Sequence, residues 1–175
     1  MNTAQNIADT ASPGYSEIER LEALLEQVTD PEIPVVSIRD LGILRNISVD
    51  DGQVTVTITT TYSGCPAMST IRADISQTLS QAGYEKIQVK QSLSPAWTTD
   101  WMTAQGREKL REYGIAPPQK SSDGNCALIS PGTAVVCPLC SSEHTECISE
   151  FGSTACKALY RCLDCAEPFD YFKCI

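Results

Sequence analysis

Apolar residues Ile18, Leu21, Leu25 and Val28 recur at helical spacing, and this stripe predicts an amphipathic helix near the start of the chain. Ser16-Glu17-Ile18-Glu19 reads as its capping box, with the Glu19 side chain reaching back to the Ser16 backbone. Asp30-Pro31-Glu32-Ile33-Pro34 follows and ends the helix, because two prolines forbid its continuation. The period then changes. Ile43, Arg45, Ile47 and Val49 share one face of a strand, Asp50-Asp51-Gly52 is a hairpin turn, and Val54, Val56 and Ile58 alternate with threonines in a second, half-buried strand. Helical spacing returns at Met68, Ile71, Ile75 and Leu79, with Pro66 suited to the first helical position and Gly83 as the stop. Ile87, Val89 and Leu93 mark a third strand, and a last helix is predicted over 104–113, stopped by Gly114.

The second strand, its helix and the third strand form a βαβ crossover, so the third strand should lie parallel to the second. The predicted class is α+β: a small mixed three-stranded sheet with helices, in the order α-β-β-α-β-α, followed by a C-terminal zinc-ribbon-like module. The expected division is a disordered N-terminus at 1–14, an α/β domain at 15–116, a Pro- and Gly-containing linker at 117–133 and a cysteine-rich module at 134–175.

Two identical C-x2-C pairs, Cys137-Pro-Leu-Cys140 and Cys162-Leu-Asp-Cys165, are separated by 21 residues. Together they can complete a four-thiolate tetrahedron around one soft cation. A module of about 40 residues is near the limit below which a hydrophobic core cannot hold a fold alone. Structural zinc contributes on the order of 10–16 kcal/mol in such domains. Zinc is therefore the expected resident metal; iron is the alternative, because a tetrahedral four-sulfur set suits both. A rubredoxin-like iron site would make the module an electron relay.

Composition narrows the partners. The chain has 175 residues with 22 acids against 13 bases, a net charge of -9. Nucleic-acid binding needs a cationic face, so DNA and RNA are not expected. The first fourteen residues lack the basic and apolar regions of an export signal, and no apolar run reaches the length of a membrane span. The expected location is cytoplasmic, where the nine cysteines stay reduced and open to metals.

Cys65 sits where a strand ends and a helix begins. Unpaired N–H groups and the helix dipole at that end favour a thiolate, the form that binds metal. Asp30 and Glu32 occupy the other irregular loop and would set carboxylates opposite the sulfur if the loops meet. The bland alternatives are a small buried residue for Cys65 and a turn residue for Asp30. One thiolate cannot hold an iron–sulfur cluster permanently, since a cluster takes four ligands. A homodimer, each copy adding a carboxylate, would supply four, in a loose site suited to delivery. No Ser-His-Asp or Cys-His arrangement exists around the single His144, so catalysis is not expected. His144, Cys156 and Cys174 are possible additional ligands of the ribbon site, and Cys147 is incidental. Phe169, Tyr171 and Phe172 read as a terminal strand filling the module's core. Trp97 and Trp101 are either core anchors or a hot spot for a client protein.

Asp30-Pro31-Glu32, Asp40-Leu41-Gly42 and Thr61-Tyr62-Ser63-Gly64-Cys65-Pro66 resemble the signature of the MIP-type iron–sulfur assembly domain, over about 16–113. The strings around Trp97-Thr98-Thr99-Asp100-Trp101 and Glu150-Phe151-Gly152-Ser153-Thr154-Ala155-Cys156-Lys157 are similar to the PaaD family of the bacterial phenylacetyl-CoA epoxidase system. The resemblance implies an accessory role in aerobic phenylacetate catabolism, assisting iron or iron–sulfur maturation of the epoxidase. The implied partners are the epoxidase components, especially the reductase with its 2Fe–2S centre, and the iron–sulfur assembly machinery. The implied cargo is iron or a 2Fe–2S or 4Fe–4S cluster, held transiently by Cys65, with Glu32 as the family's acid. Tyr62-Ser63 departs from the proline-containing version of the loop.

Overall fold

The computed structural model describes residues 16–118 and 135–173. The expectation for residues 1–14, most of the linker at 117–133, and Cys174 lie outside the described residues.

Helix α1 (Glu17–Leu25) starts with the expected capping box. The Glu19 N–H donates to the Ser16 hydroxyl at 3.3 Å, and the Ser16 N–H to the Glu19 carboxylate at 2.7 Å. The helix stops before Val28, earlier than its apolar stripe. The Gln27 and Val28 N–H groups turn back to the Leu24 and Leu25 carbonyls. The proline-rich segment, expected as an irregular loop, instead joins two short antiparallel strands, β1 (Thr29–Asp30) and β2 (Ile33–Ser37). Asp30 makes the turn: its Oδ1 accepts the Glu32 N–H at 2.8 Å and the Ile33 N–H at 3.0 Å.

Strands β3 (Leu44–Asp50), β4 (Gln53–Ile58) and β5 (Lys86–Gln91) form the central sheet in that order. The first pair is antiparallel and the second parallel, as the crossover through α2 (Ala67–Gln81) requires. A register shift near Leu44 breaks the predicted alternation at Arg45, whose guanidinium lies over the Trp101 ring at 3.4 Å. Leu21, Leu25, Val54, Val56, Ile58, Ile71, Ile75 and Leu79 are sealed between the sheet and α1 and α2. A 3-10 turn (Thr99–Trp101) leads to α3 (Ala104–Glu112), capped by the Thr103 hydroxyl on the Gly106 N–H at 2.8 Å. Trp97 lies before that turn and is buried, with its indole N–H donating to the Leu41 carbonyl at 2.9 Å.

The ribbon is a four-stranded sheet with the order β6-β9-β8-β7. Strands β7 (Thr145–Ser149), β8 (Lys157–Cys162) and β9 (Pro168–Phe172) form the meander. The fourth strand, β6 (Ile115–Ala116), belongs to the stretch just after α3 and pairs parallel with β9. The end of the α/β domain is therefore stitched into the ribbon sheet. Phe169 and Tyr171 pack with Tyr160 in the ribbon's own core, as the aromatic alternation suggested. Phe172 instead enters the main core, edge-on to Trp97 at 6.2 Å between ring centroids, and Cys156 is buried in the same cluster. Among the described residues no helix is long and apolar enough to cross a membrane.

Candidate metal centres

Cys65 lies one residue before Pro66, which occupies the cap position of α2. Helix α2 packs against β1, so the Cys65 loop and the Asp30–Glu32 turn meet. The Cys65 sulfur accepts the Ala67 N–H and the Tyr62 hydroxyl, and the charges of Glu32 and Asp30 act on it. Asp30 and Glu32 are thus within electrostatic range of the Cys65 sulfur, but these groups are not drawn together as closely as the ribbon sulfurs. The helix end does not acidify the thiol, however. Burial pushes the Cys65 thiol up, the Ala67 N–H and Tyr62 hydroxyl oppose this, and the two carboxylates push it further up. Without a cation the group is a thiol at neutral pH. Burial likewise raises the Asp30 and Glu32 carboxyls, and the Asp30 charge adds to the rise at Glu32. Burial and the Cys65 charge push the Tyr62 hydroxyl up to about 12, so it stays a donor. An acidic pocket in which every member resists ionisation is one that a cation would relieve.

The four ribbon sulfurs are gathered at the two knuckles between strands. The ligand atoms of Cys137, Cys140, Cys162 and Cys165 all lie within 4.8 Å of one another. Cys137 and Cys165 sulfurs are 3.8 Å apart, and those of Cys140 and Cys162 are 3.5 Å apart. A Zn–S bond of about 2.3 Å places tetrahedral sulfurs about 3.8 Å from one another, so the residues present fit a four-thiolate zinc ion. The Cys165 N–H pulls the Cys162 sulfur down to about 6, while at Cys140 the Ser142 N–H is outweighed by the neighbouring thiols, which push that sulfur up to about 12, so the four sulfurs share charge unequally until a cation joins them. Among the described residues, this is the group of three or more such side chains drawn this closely together.

His144 is not part of it: its Nδ1 lies 3.5 Å from Asp164 and the side chain is 80% exposed. Cys147 is exposed on β7, where its sulfur meets the Tyr160 hydroxyl. Cys156 is buried away from the knuckles, so it is not a substitute ribbon ligand in this arrangement. Two residues beside Cys65 escaped sequence reasoning. Tyr62 counted only as a departure from a motif, although a phenol two to four residues from a metal-binding thiol is a legible donor. Lys157, 5% exposed with its ammonium 3.3 Å from Asp170, opposes the Asp30 and Glu32 charges from across the ribbon; only the fold brings it there.

This combination, a mixed α/β assembly fold joined to a four-cysteine ribbon, defines the class to which the chain belongs. Residues 18–90 match the family described as "Iron-sulfur cluster assembly protein", and residues 121–173 match the "PaaD zinc beta ribbon domain". The chain is 52% identical over 172 residues to the Escherichia coli protein named as the D component of a "Putative 1,2-phenylacetyl-CoA epoxidase", covering 98% of this chain and 99% of that one. It is 36% identical over 99 residues to an "Fe-S protein maturation auxiliary factor" of Porphyromonas gingivalis, covering 55% of this chain and 90% of that one. A crystal structure of a domain of unknown function, DUF59, from Bacillus anthracis is similar in fold, with a TM-score of 0.50 and 30% identity over 53% of this chain and 89% of that one. The protein belongs to the PaaD family, that of the D component of the epoxidase.

Proposed function

We propose that this chain is an accessory protein of aerobic phenylacetate catabolism that receives iron or an iron–sulfur cluster from the assembly machinery and delivers it to components of a phenylacetyl-CoA epoxidase, with the 2Fe–2S reductase as first client. The observation that carries this reading is the Cys65 site: a half-buried sulfur at a helix start, with the Tyr62 hydroxyl on it and the Asp30 and Glu32 charges around it. Such a site attracts a cation but supplies few strong ligands, which suits cargo that must leave. The names of the relatives, one an epoxidase component and one a maturation factor, support the same role. The ribbon cysteines Cys137, Cys140, Cys162 and Cys165 hold structural zinc in this reading and fasten the module.

The test is Cys65→Ser in a strain that also expresses the reductase. Iron per reductase chain is expected to fall severalfold while the variant keeps its zinc; unchanged reductase iron overturns the carrier role. The four-sulfur knuckle also fits iron, so electron relay is the competing reading. Colour and metal content separate the two: one zinc per chain and no visible band favour the carrier, whereas a red protein with reversible bleaching on reduction favours the relay.

A further inference from the structure

The metal-binding end of the ribbon exposes apolar side chains that its own packing does not use. The two knuckles lie side by side there, since Thr145 at the start of β7 pairs with Cys162 at the end of β8. Leu139, inside the first knuckle, is 59% exposed, and Leu163, inside the second, is 54% exposed. Each is next in sequence to one of two cysteines, Cys140 and Cys162, whose sulfurs are 3.5 Å apart. Exposed Val136 leads into the first knuckle and lines a groove of about 480 Å³, with Pro138 and Glu143 beside it and Arg111 and Pro117 of the α/β side opposite. Two leucines and the mouth of a groove therefore share one end of the module.

The knuckles hold these side chains in fixed places. Leu163 N–H donates to the His144 carbonyl at 2.8 Å, Ser141 N–H to the Cys137 carbonyl at 2.9 Å, and the Ser142 hydroxyl donates to Asp164 across the two knuckles. A surface ordered before its partner arrives loses little freedom on binding. Its charge has one sign. Glu143, Asp164 and Glu167 are exposed around the knuckles. The lysines and arginine of the ribbon are engaged elsewhere: Lys157 with Asp170 at 3.3 Å, Arg161 with Glu146, and Lys173 on the Glu150 carbonyl at 3.1 Å. Arg111, the base lining the groove, is paired with Glu108. A divalent ion on four thiolates leaves that centre negative as well.

We propose that the knuckle end is the surface on which this chain docks its client, and that the client presents a segment with apolar side chains at its centre and lysines or arginines at its rim. Leu139 and Leu163 form the centre that loses water on contact, the groove beside Val136 receives a client side chain, and Glu143, Asp164 and Glu167 meet the basic rim. The inference rests on the carrier reading only for the existence of a client, the reductase. A second copy of this chain is the poorer occupant, because a two-fold contact would set these acids against their own copies. The ion that orders the knuckles then also orders the docking surface.

The test is calorimetric titration of the full-length, metal-loaded protein with the purified 2Fe–2S reductase. Leu139→Ser and Leu163→Ser should each raise the dissociation constant at least about tenfold with metal content unchanged. Phe151→Ser removes a side chain that is 67% exposed but lies beyond the far end of β7, and should leave binding as it was. Glu143→Lys combined with Glu167→Lys should weaken binding too, and added salt should weaken the wild type more than that double variant. No complex with the wild type, unchanged binding in both leucine variants, or an equal loss in Phe151→Ser overturns the proposal. So does a wild-type dimer that Leu139→Ser dissociates, since a second copy would then be the occupant. Cys65→Ser should bind the reductase as the wild type does, and a loss there would move the contact to Cys65 and overturn the proposal. The carrier role is judged separately by reductase iron in Cys65→Ser, so either conclusion can fail while the other stands.

Discussion

Asp40 is the most heavily bonded buried carboxylate in the described structure, and its work is structural. Its carboxylate accepts the Ser37 N–H at 3.1 Å, the Thr103 hydroxyl at 2.9 Å and the Lys109 ammonium at 2.6 Å, while its backbone carbonyl accepts the Thr103 N–H. One residue thereby ties the end of β2 to the start of α3. Burial works against its charge, but the Lys109 ammonium, the Ser37 N–H and the Thr103 hydroxyl outweigh it and hold the carboxyl below 3.8. The folded state therefore binds the proton less readily than the unfolded chain. Its contribution is fully present above about pH 4 and is lost as pH falls through the lowered folded value. Asp40→Asn should cost about 2–4 kcal/mol at pH 7, by removing one partner of a largely buried pair. Urea unfolding at pH 7 and pH 3 checks both statements: the gap between wild type and variant should narrow in acid. An equal gap at both values would show that the charge is not what matters.

At the scale of elements, the turn between β2 and β3 is set by close approach. Gly42 has φ +68, and a Cβ placed there would meet the Trp101 Cβ and carbonyl oxygen at 2.6 Å. Gly52, in the β3–β4 hairpin, has φ +73 but open space around it. Gly42→Ala should therefore cost about 3 kcal/mol or more, combining left-handed strain with overpacking, and Gly52→Ala about 1 kcal/mol. Urea midpoints read the difference, and equal losses would mean that Trp101 yields freely. The sequence makes the helices and the central sheet legible, because Ile71, Ile75 and Leu79, or Val54, Val56 and Ile58, repeat with the period of the element they occupy. It hides β1 and β2, because Pro31 and Pro34 signal a break and nothing local announces that Asp30 will bind two N–H groups and fold the break into a hairpin. The knuckle cysteines are legible from spacing alone. The surroundings of Cys65 are only half legible: proximity to a helix start could be read, but burial and nearby carboxylates, which reverse the thiol's shift, are products of packing.

For the whole molecule, what no periodicity reveals is the docking of the two units. Phe172 follows Tyr171 directly, so the strand period turns it to the face opposite the ribbon core, but nothing local names Trp97 as its partner; β6 is two residues long, below the reach of any pattern. Through Phe172 and Cys156 the ribbon covers one edge of the main core. The ribbon's own core holds only a handful of buried side chains, including Cys137 and Cys162 themselves, so a metal held by the four knuckle thiols would carry much of its stability. Removing the metal with a strong chelator under reducing conditions should loosen β7, β8 and β9 and withdraw Phe172 from Trp97. Tryptophan emission should shift to longer wavelength as Trp97 meets water, while the helical circular dichroism of α1 and α2 persists, since Leu21, Leu25, Ile71 and Ile75 pack without the ribbon. Thermal unfolding should split into two transitions, and adding zinc back should merge them. Unchanged emission after complete metal removal would show that the ribbon holds its place on the α/β unit through β6 and Phe172 alone, with the four thiols contributing nothing to the docking.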